Sequence, residues 1–402
     1  MPGLPEPPII LILILFLLLF TGRSQAEETH LSNREDSIPE RTGQLRIATF
    51  NAWLNREAPG QLRQDLAGTD QPQIRKVAEI IQRVQPDILL LNEFDYVADG
   101  SALRLLQANY LTRSQNGATP IQFPHTFIAP SNTGLPSGFD LDRDGKASDI
   151  NGDALGFGAF PGQYGMALLS RFPVETRKVR TFQTFLWKDM PGALLPLDPD
   201  SGKSWYRPEE LAIFRLSSKS HWDLPLQIAG RTLHVLASHP TPPVFDGPED
   251  RNGRRNHDEI RFWHDYINPD QAGYIYDDHK LRGGLPAQQP FVILGDMNAS
   301  PHEGDATGNP MGKLLQNDRI QGRFTPESEG ARQYSPGNPY GPSQTASWRL
   351  RADYVLPSRT GLRIEAGAVV WPASDDPLYH LVGPELKSSD HRLVWLDLSF
   401  EK

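Results

Sequence analysis

The 402-residue chain contains no cysteine. That excludes a disulfide framework, a thiolate metal centre, a cysteine nucleophile and an anchor built on a lipidated cysteine. Nor is there an excess of positive charge: 40 Lys and Arg face 49 Asp and Glu, for a formal net charge of -9. A protein that coats nucleic acid through a basic face is therefore not expected. No long charge-rich tract forces disorder, and no repeat recurs at solenoid or propeller periods. What is present is globular. Apolar residues make up 38% of the chain and aromatics 9%, enough for a core, while 34 Gly and 36 Pro point to long connecting segments. Length alone permits two or three domains or one large one.

No apolar run reaches the roughly twenty residues of an ordinary membrane span. Residues 9–20 are all Ile, Leu and Phe, which fits the core of an export signal. Ser24-Gln25-Ala26 supplies a small-x-small cleavage site ahead of Glu27. The first eight residues depart from the usual pattern, since they carry Glu6 and no Lys or Arg. We expect a signal peptide over 1–26, a disordered polar lead over 27–43, a single domain over 44–402, and a secreted or periplasmic product. An uncleaved membrane anchor is the alternative.

Within the domain, residues 45–50, 88–91, 233–238, 291–294, 354–356 and 393–400 read as strands. Ile74, Val77, Ile81 and Val84 fall at i, i+3, i+7 and i+10, a helical stripe. Ile260, Trp263, His264 and Ile267 mark a second helix. Strands alternating with helices imply an α/β layered domain. Residues 129–162, 187–222 and 300–347 show too little apolar periodicity for a separate core and read as insertions on one scaffold.

Polar residues close most of these apolar strands. Asn51 follows residues 45–50, Glu93 follows 89–92, His239 follows 236–238, and Asp296 and Asn298 follow 293–295. Asp353 opens 354–356, and Asp390-His391 precedes the last strand. Side chains outside strand ends are held rigidly where the core stops, so this is where α/β sheets build sites. Hard oxygen donors without cysteine suit Mg²⁺ or Mn²⁺ and suit Zn²⁺ poorly. Taken singly, Asn51 reads as an Asx turn, Asp296 with Asn298 as a turn cap, and His239 as a loop residue.

In order along the chain, however, the pieces resemble the endonuclease/exonuclease/phosphatase superfamily, which includes deoxyribonuclease I, inositol polyphosphate 5-phosphatases and bacterial sphingomyelinases. The matching stretches are Ala48-Thr49-Phe50-Asn51, Pro86-Asp87-Ile88-Leu89-Leu90-Leu91-Asn92-Glu93 and Gly165-Met166-Ala167-Leu168-Leu169-Ser170-Arg171-Phe172-Pro173. Leu294-Gly295-Asp296-Met297-Asn298, Ala352-Asp353-Tyr354-Val355-Leu356 and Ser388-Ser389-Asp390-His391-Arg392 complete them. The resemblance implies a four-layer α/β sandwich, two packed mixed β-sheets flanked by helices with long loop insertions, and metal-dependent hydrolysis of phosphoesters. It implies that Glu93, Asn51 and Asp390 form the Mg²⁺ side. Asp296 would orient or deprotonate the attacking water, Asn298 would hydrogen-bond the phosphate, and His391 would bind a phosphoryl oxygen. Asp353 would hold His391, and His239 would sit near the scissile phosphate.

Three further signals stand outside that set. Arg254 and Asn256, beside the second helix, are candidate substrate contacts, and Arg261 is read as a solvated helix face. Asp140, Asp142, Asp144, Asp149, Asn151 and Asp153 place oxygen donors as in the first half of a calcium loop, which suggests a structural Ca²⁺. The twelfth position counted from Asp140 is Asn151 rather than Glu, so this is no EF-hand. Phe185, Leu186 and Trp187 are the candidates for a membrane-touching loop, but core packing is the favoured reading of any one aromatic. The substrate, whether phosphodiester, monoester, nucleic acid or lipid, is left open, and we expect a monomer. The competing function is a calcium-stabilised binding or surface protein that keeps the fold without catalysis; the presence of every site residue argues against it.

Overall fold

The computed structural model describes residue 38, residues 41–384 and residues 387–401. The expected signal peptide, and all of the expected lead except residues 38 and 41–43, lie outside the described residues. Those last residues are tied down. Arg41 pairs with Asp87 at 2.5 Å, Thr42 donates its N–H to Asp397 at 2.9 Å, and Ile38 is buried in the core.

Two mixed sheets face each other. The first runs β10-β11-β1-β2-β4-β3, built from β1 (Leu45–Leu54), β2 (Ile88–Phe94), β3 (His125–Phe127), β4 (Met166–Ser170), β10 (Leu362–Val369) and β11 (Val394–Phe400). The second runs β5-β6-β7-β8-β9, from β5 (Arg180–Thr181), β6 (His221–Ile228), β7 (Arg231–Ser238), β8 (Phe291–Asp296) and β9 (Asp353–Pro357). β1 and β2 face β8 and β9 across the interior. This is the α/β sandwich that the resemblance implies.

Each sheet holds one parallel pair, β1 with β2 and β7 with β8, while the other neighbours are antiparallel. A parallel pair needs a crossover long enough to return the chain to the same end, and a helix supplies it. Helix Pro72–Val84 links the first pair and helix Arg251–Tyr266 the second. The first starts with Pro at its N-terminal turn and ends at Gln85, which takes the left-handed conformation (φ 51°) just before Pro86. Its apolar stripe belongs to one continuous apolar cluster with β1 and β2, and that cluster also takes in the inward face of the second sheet: Val235, Ala237, Val292, Leu294 and Val355.

The alternating residues of that second sheet, Leu236, Phe291, Ile293, Tyr354 and Leu356, point the other way. They meet helix Arg251–Tyr266 and an outer layer made by the segment between β5 and β6: Phe182, Phe185, Trp187, Tyr206 and Phe214. Phe185 and Trp187 are therefore buried in this layer, which is the core packing favoured for them over membrane contact. Trp187 also donates its indole N–H to Asp258 at 2.7 Å, so its polar edge is satisfied inside.

Candidate active site

The catalytic-looking residues converge where the two parallel pairs end. On the first sheet, the β1–β2 ladder is regular to Asn51 opposite Asn92, then shifts register before Leu54 meets Phe94. Glu93 (φ 56°) and Trp53 (φ 51°) take left-handed backbone at this irregularity. A bulge re-aims side chains at a strand end, and here it turns Glu93 toward the second sheet. On that sheet, Gly295 brings β8 against β7 so closely that a β-carbon would lie 2.0 Å from the Ser238 carbonyl oxygen. Only glycine fits there, and Asp296 is placed by it. Asn92, wholly buried, stitches the two sheets: its amide donates to the Ser238 carbonyl at 3.4 Å, and its oxygen accepts from the Asp296 N–H at 3.3 Å.

Asp296 is the hub. Its Oδ2 accepts from the Asn51 amide at 3.0 Å and lies 3.3 Å from His239 Nε2 and 3.4 Å from His391 Nε2. Its Oδ1 accepts the Asn298 N–H at 2.8 Å. Burial opposes ionisation, but the charge of His391 and the bonds from His239 and Asn51 outweigh it and hold the carboxyl well below the usual carboxylate range. His391 Nδ1 meets Asp353 Oδ2 at 2.8 Å, and Asp353 also accepts from the Thr345 hydroxyl at 2.7 Å. Burial resists the charge on His391, yet Asp353 and Asp296 push it up to about 10. His239 goes the other way: burial, with the nearby Lys219 charge, takes it down to about 4.

Ligand atoms of Asp296, Asp353 and His391 lie close enough together to be read as a metal cage. The hydrogen bonds argue otherwise. A histidine whose two nitrogens both face carboxylates is a doubly protonated donor and has no lone pair for a metal. Glu93 fits better. Burial, with Asp390 and Asp296 adding to it, pushes its carboxyl up to about 7 against the pull of His391 and an Asn51 hydrogen bond. Among the described residues no Lys or Arg pairs with Glu93 or Asp390. Crowded oxygens lacking a cation suit a hard divalent ion.

The site opens into a cleft of about 1100 Å³, lined among others by Glu93, Lys219, His239, Asn298, Asp390 and His391. Trp348 stands edge-on to His391 with ring centroids 4.5 Å apart. Asn298 (φ 51°) donates its side-chain amide to the Pro240 carbonyl at 3.1 Å, joining the two strand-end loops of the second sheet. Reading the sequence missed Lys219, Trp348 and the stitching role of Asn92. Only Asn92 left a trace, as the neighbour of Glu93 in a matched stretch.

Two expected substrate contacts are not where they were expected. Asn256 is wholly buried, donating to the Thr241 carbonyl at 2.8 Å and the Met297 carbonyl at 3.0 Å, so it clamps the loops beneath the cleft. Arg254 does not line the cleft and faces Asp250 at 3.7 Å; its neighbour Arg255 lines it instead. Arg261 pins the insertion, donating to the Pro191 carbonyl at 2.6 Å. Of the expected calcium donors, Asp140, Asp142 and Asp144 come together, with ligand atoms within 4.8 Å of one another. Asp153 turns inward and accepts the Leu141 N–H at 2.6 Å and the Ser148 N–H at 2.7 Å. It pins the loop. Asp149 is exposed outside that group, and Asn151 lines the cleft with Asp142.

The family model of the Endonuclease/Exonuclease/phosphatase family matches residues 48–391. No curated protein matches the chain. Among solved structures, the chain is similar to an endonuclease/exonuclease/phosphatase from Beutenbergia cavernae (17% identity over 89% of this chain and 71% of that one, TM-score 0.47). It is similar also to the human Nocturnin catalytic domain with bound sulfate (15%, 92% and 97%, TM-score 0.47). A third is beta toxin from Staphylococcus aureus with bound magnesium ions (12%, 89% and 99%, TM-score 0.44).

Proposed function

The chain belongs to the endonuclease/exonuclease/phosphatase family, and from that premise we propose that it is an exported, divalent-metal-dependent phosphoester hydrolase. One observation carries the reading: the ionised Asp296, held between His239 and His391, stands beside Glu93 and Asp390, with which no Lys or Arg among the described residues pairs. Glu93, Asp390 and the side-chain amide oxygen of Asn51 would hold Mg²⁺ or Mn²⁺. Bound there, the ion supplies a Lewis acid for a phosphoryl oxygen.

The protein's own groups do the rest. Asp296 accepts hydrogen bonds from Asn51 and Asn298 and has His239 and His391 within 3.4 Å, which makes it a weak base and a rigid one. Its work is to orient the water that attacks phosphorus in line. His391, positively charged and locked by Asp353, faces the charge that gathers on the nonbridging oxygens. Asn298 sits at the cleft wall within reach of the same group. Preorganised donors of this kind cost no rearrangement during reaction, so positioning supplies much of the acceleration.

The deciding assay compares a nitrophenyl phosphate diester, the monoester and duplex DNA, each with Mg²⁺ and with EDTA. Turnover of one of them that needs the metal and disappears in Asp296→Ala is the expected result. An enzyme indifferent to EDTA, or full activity in that variant, would refute the reading. The second part of the proposal is a structural Ca²⁺ at Asp140, Asp142 and Asp144, supported by their convergence. Calcium at a hundred times its Kd should then raise stability by about 2.7 kcal/mol, and Asp142→Asn should blunt the rise. Export rests on the leader sequence, and N-terminal sequencing of protein recovered from the medium or periplasm tests it.

A further inference from the structure

We propose that Lys219 is the cation that holds the phosphoryl group, and that the cleft admits a substrate bearing a single phosphate rather than a polyphosphate or polynucleotide. The inference rests on the hydrolase reading above and deepens it. Lys219 lies in the turn before β6 and is only 7% exposed, yet it lines the cleft beside Glu93, His239, Asn298 and His391. Its ammonium has three donors. Among the described residues its ammonium makes one hydrogen bond, a long one of 3.5 Å to the Pro240 carbonyl. Burial holds its ammonium below the ordinary lysine range, against the opposing charges of Glu259, Glu93 and Asp296, and among the described residues none of these pairs with it within 4 Å. Withdrawing an ammonium from water with donors to spare costs several kcal/mol. A ligand that supplies oxygen acceptors removes that cost.

The other cations of the cleft are already engaged. Arg251 pairs with Glu249. Arg255 donates to the backbone carbonyls of Leu216, Leu155 and Arg215 at 2.6 to 3.0 Å. His239 and His391 both face Asp296. Beyond Lys219 the walls turn acidic and apolar. Glu303 and Asp305 line the cleft, as do Phe157 (60% exposed), Phe245 (85%) and Trp348 (44%). Phe245 is displayed to solvent from left-handed backbone (φ 67°), in a loop pinned by the Asn252 side chain on the Val244 carbonyl at 2.8 Å. Among the described residues of the cleft, one cation without an ion-pair partner and an acidic rim can satisfy one phosphate, and a second would meet like charge.

The test measures binding of inorganic phosphate to the full chain with Mg²⁺ by titration calorimetry, in wild type, Lys219→Met and Lys219→Arg, alongside Tm. Lys219→Gln replaces the methionine variant if that one does not fold. We expect phosphate affinity to fall at least tenfold in Lys219→Met with Tm held or raised, and to be partly restored in Lys219→Arg. Tripolyphosphate should bind no more than a few times tighter than phosphate. Unchanged phosphate affinity, or a loss that follows a fall in Tm, would make Lys219 a structural counter-ion of Glu259 and overturn the proposal. Tripolyphosphate binding tenfold tighter or more would overturn the single-phosphate part. Phosphate binding needs no turnover, so an inert protein with Lys219-dependent binding would refute only the hydrolase reading. An active one with Lys219-independent binding would refute only this inference.

Discussion

Two histidines of this molecule share one degree of burial and titrate in opposite directions. His221 begins β6 on the outer side of the second sheet, 0% exposed, between the rings of Phe262 and Trp263 at 4.7 and 5.0 Å. Its nitrogens meet neutral groups, the Ser217 hydroxyl at 2.5 Å and the Glu259 backbone carbonyl at 2.9 Å. Burial takes it down to about 4. His391 is equally enclosed, but its nitrogens meet Asp353 and Asp296, and it goes up to about 10. Depth alone therefore says nothing about function. A buried histidine among rings and carbonyls is a packing element that must stay neutral; one between two carboxylates is a charge delivered to a cleft.

The widest separation between the two should appear in turnover. His391→Gln removes the charge facing the phosphoryl group and should lower kcat/KM for a phosphate diester by about 10³-fold, roughly 4 kcal/mol. His221→Gln should leave kcat/KM within a few fold and show its effect in Tm. Equal losses of activity in the two variants would erase the distinction drawn here. The next test is the acid side of stability. His221 binds its proton near pH 6.5 when unfolded and near 4 when folded. Above pH 6.5 both states are neutral and the group contributes no pH dependence. Between 6.5 and 4 the unfolded chain binds more protons, so stability falls as pH falls, by up to about 3 kcal/mol. Urea denaturation at several pH values across that window should show a flatter slope for His221→Gln than for wild type.

The same contrast governs what could be read from the sequence. Helix Pro72–Val84 and its strands were legible because Ile74, Val77, Ile81 and Val84 are aliphatic and periodic, and the continuous run of β2 is buried on both faces. The strand-end polar residues stood out against those runs, and the structure gathers Asn51, Glu93, Asp296, Asn298, Asp353, Asp390, His239 and His391 at one end of the sandwich. The outer layer around His221 was not legible. Phe182 and Phe185 pack edge-to-face on Phe262 and Trp187 meets Phe214 at a tilt, all four from segments outside the strands and α-helices, and such contacts leave no period. β6 itself escaped notice because Pro225 interrupts it, and with it went Lys219, whose placement depends on the turn before that strand. Asn256 looked like a substrate contact because it is polar and near the site. Its burial beneath the Thr241 and Met297 carbonyls is a fact of packing that no local pattern carries.

The smallest effect is the one that separates holding a histidine from charging it. Asp353→Asn keeps the size of the side chain and the Thr345 contact, but it replaces the carboxylate 2.8 Å from His391 Nδ1 with a neutral amide. Asp296 still faces Nε2 at 3.4 Å, so part of the stabilisation of the charged ring survives. Loss of one orienting partner typically costs 10- to 100-fold, and the expected fall in kcat/KM lies in that range, below that of His391→Gln. The amide oxygen can still accept from Nδ1, so the ring should keep its orientation while its proton is held less tightly. The acid limb of activity assigns no role here; the basic limb does, because the fraction of charged His391 should begin to fall at lower pH in the variant. A pH–rate profile whose alkaline limb shifts downward with KM little changed supports Asp353 as the group that sustains the charge. An unshifted limb with the same loss would mean that it only aims the ring, and His391 would then owe its charge to Asp296 alone.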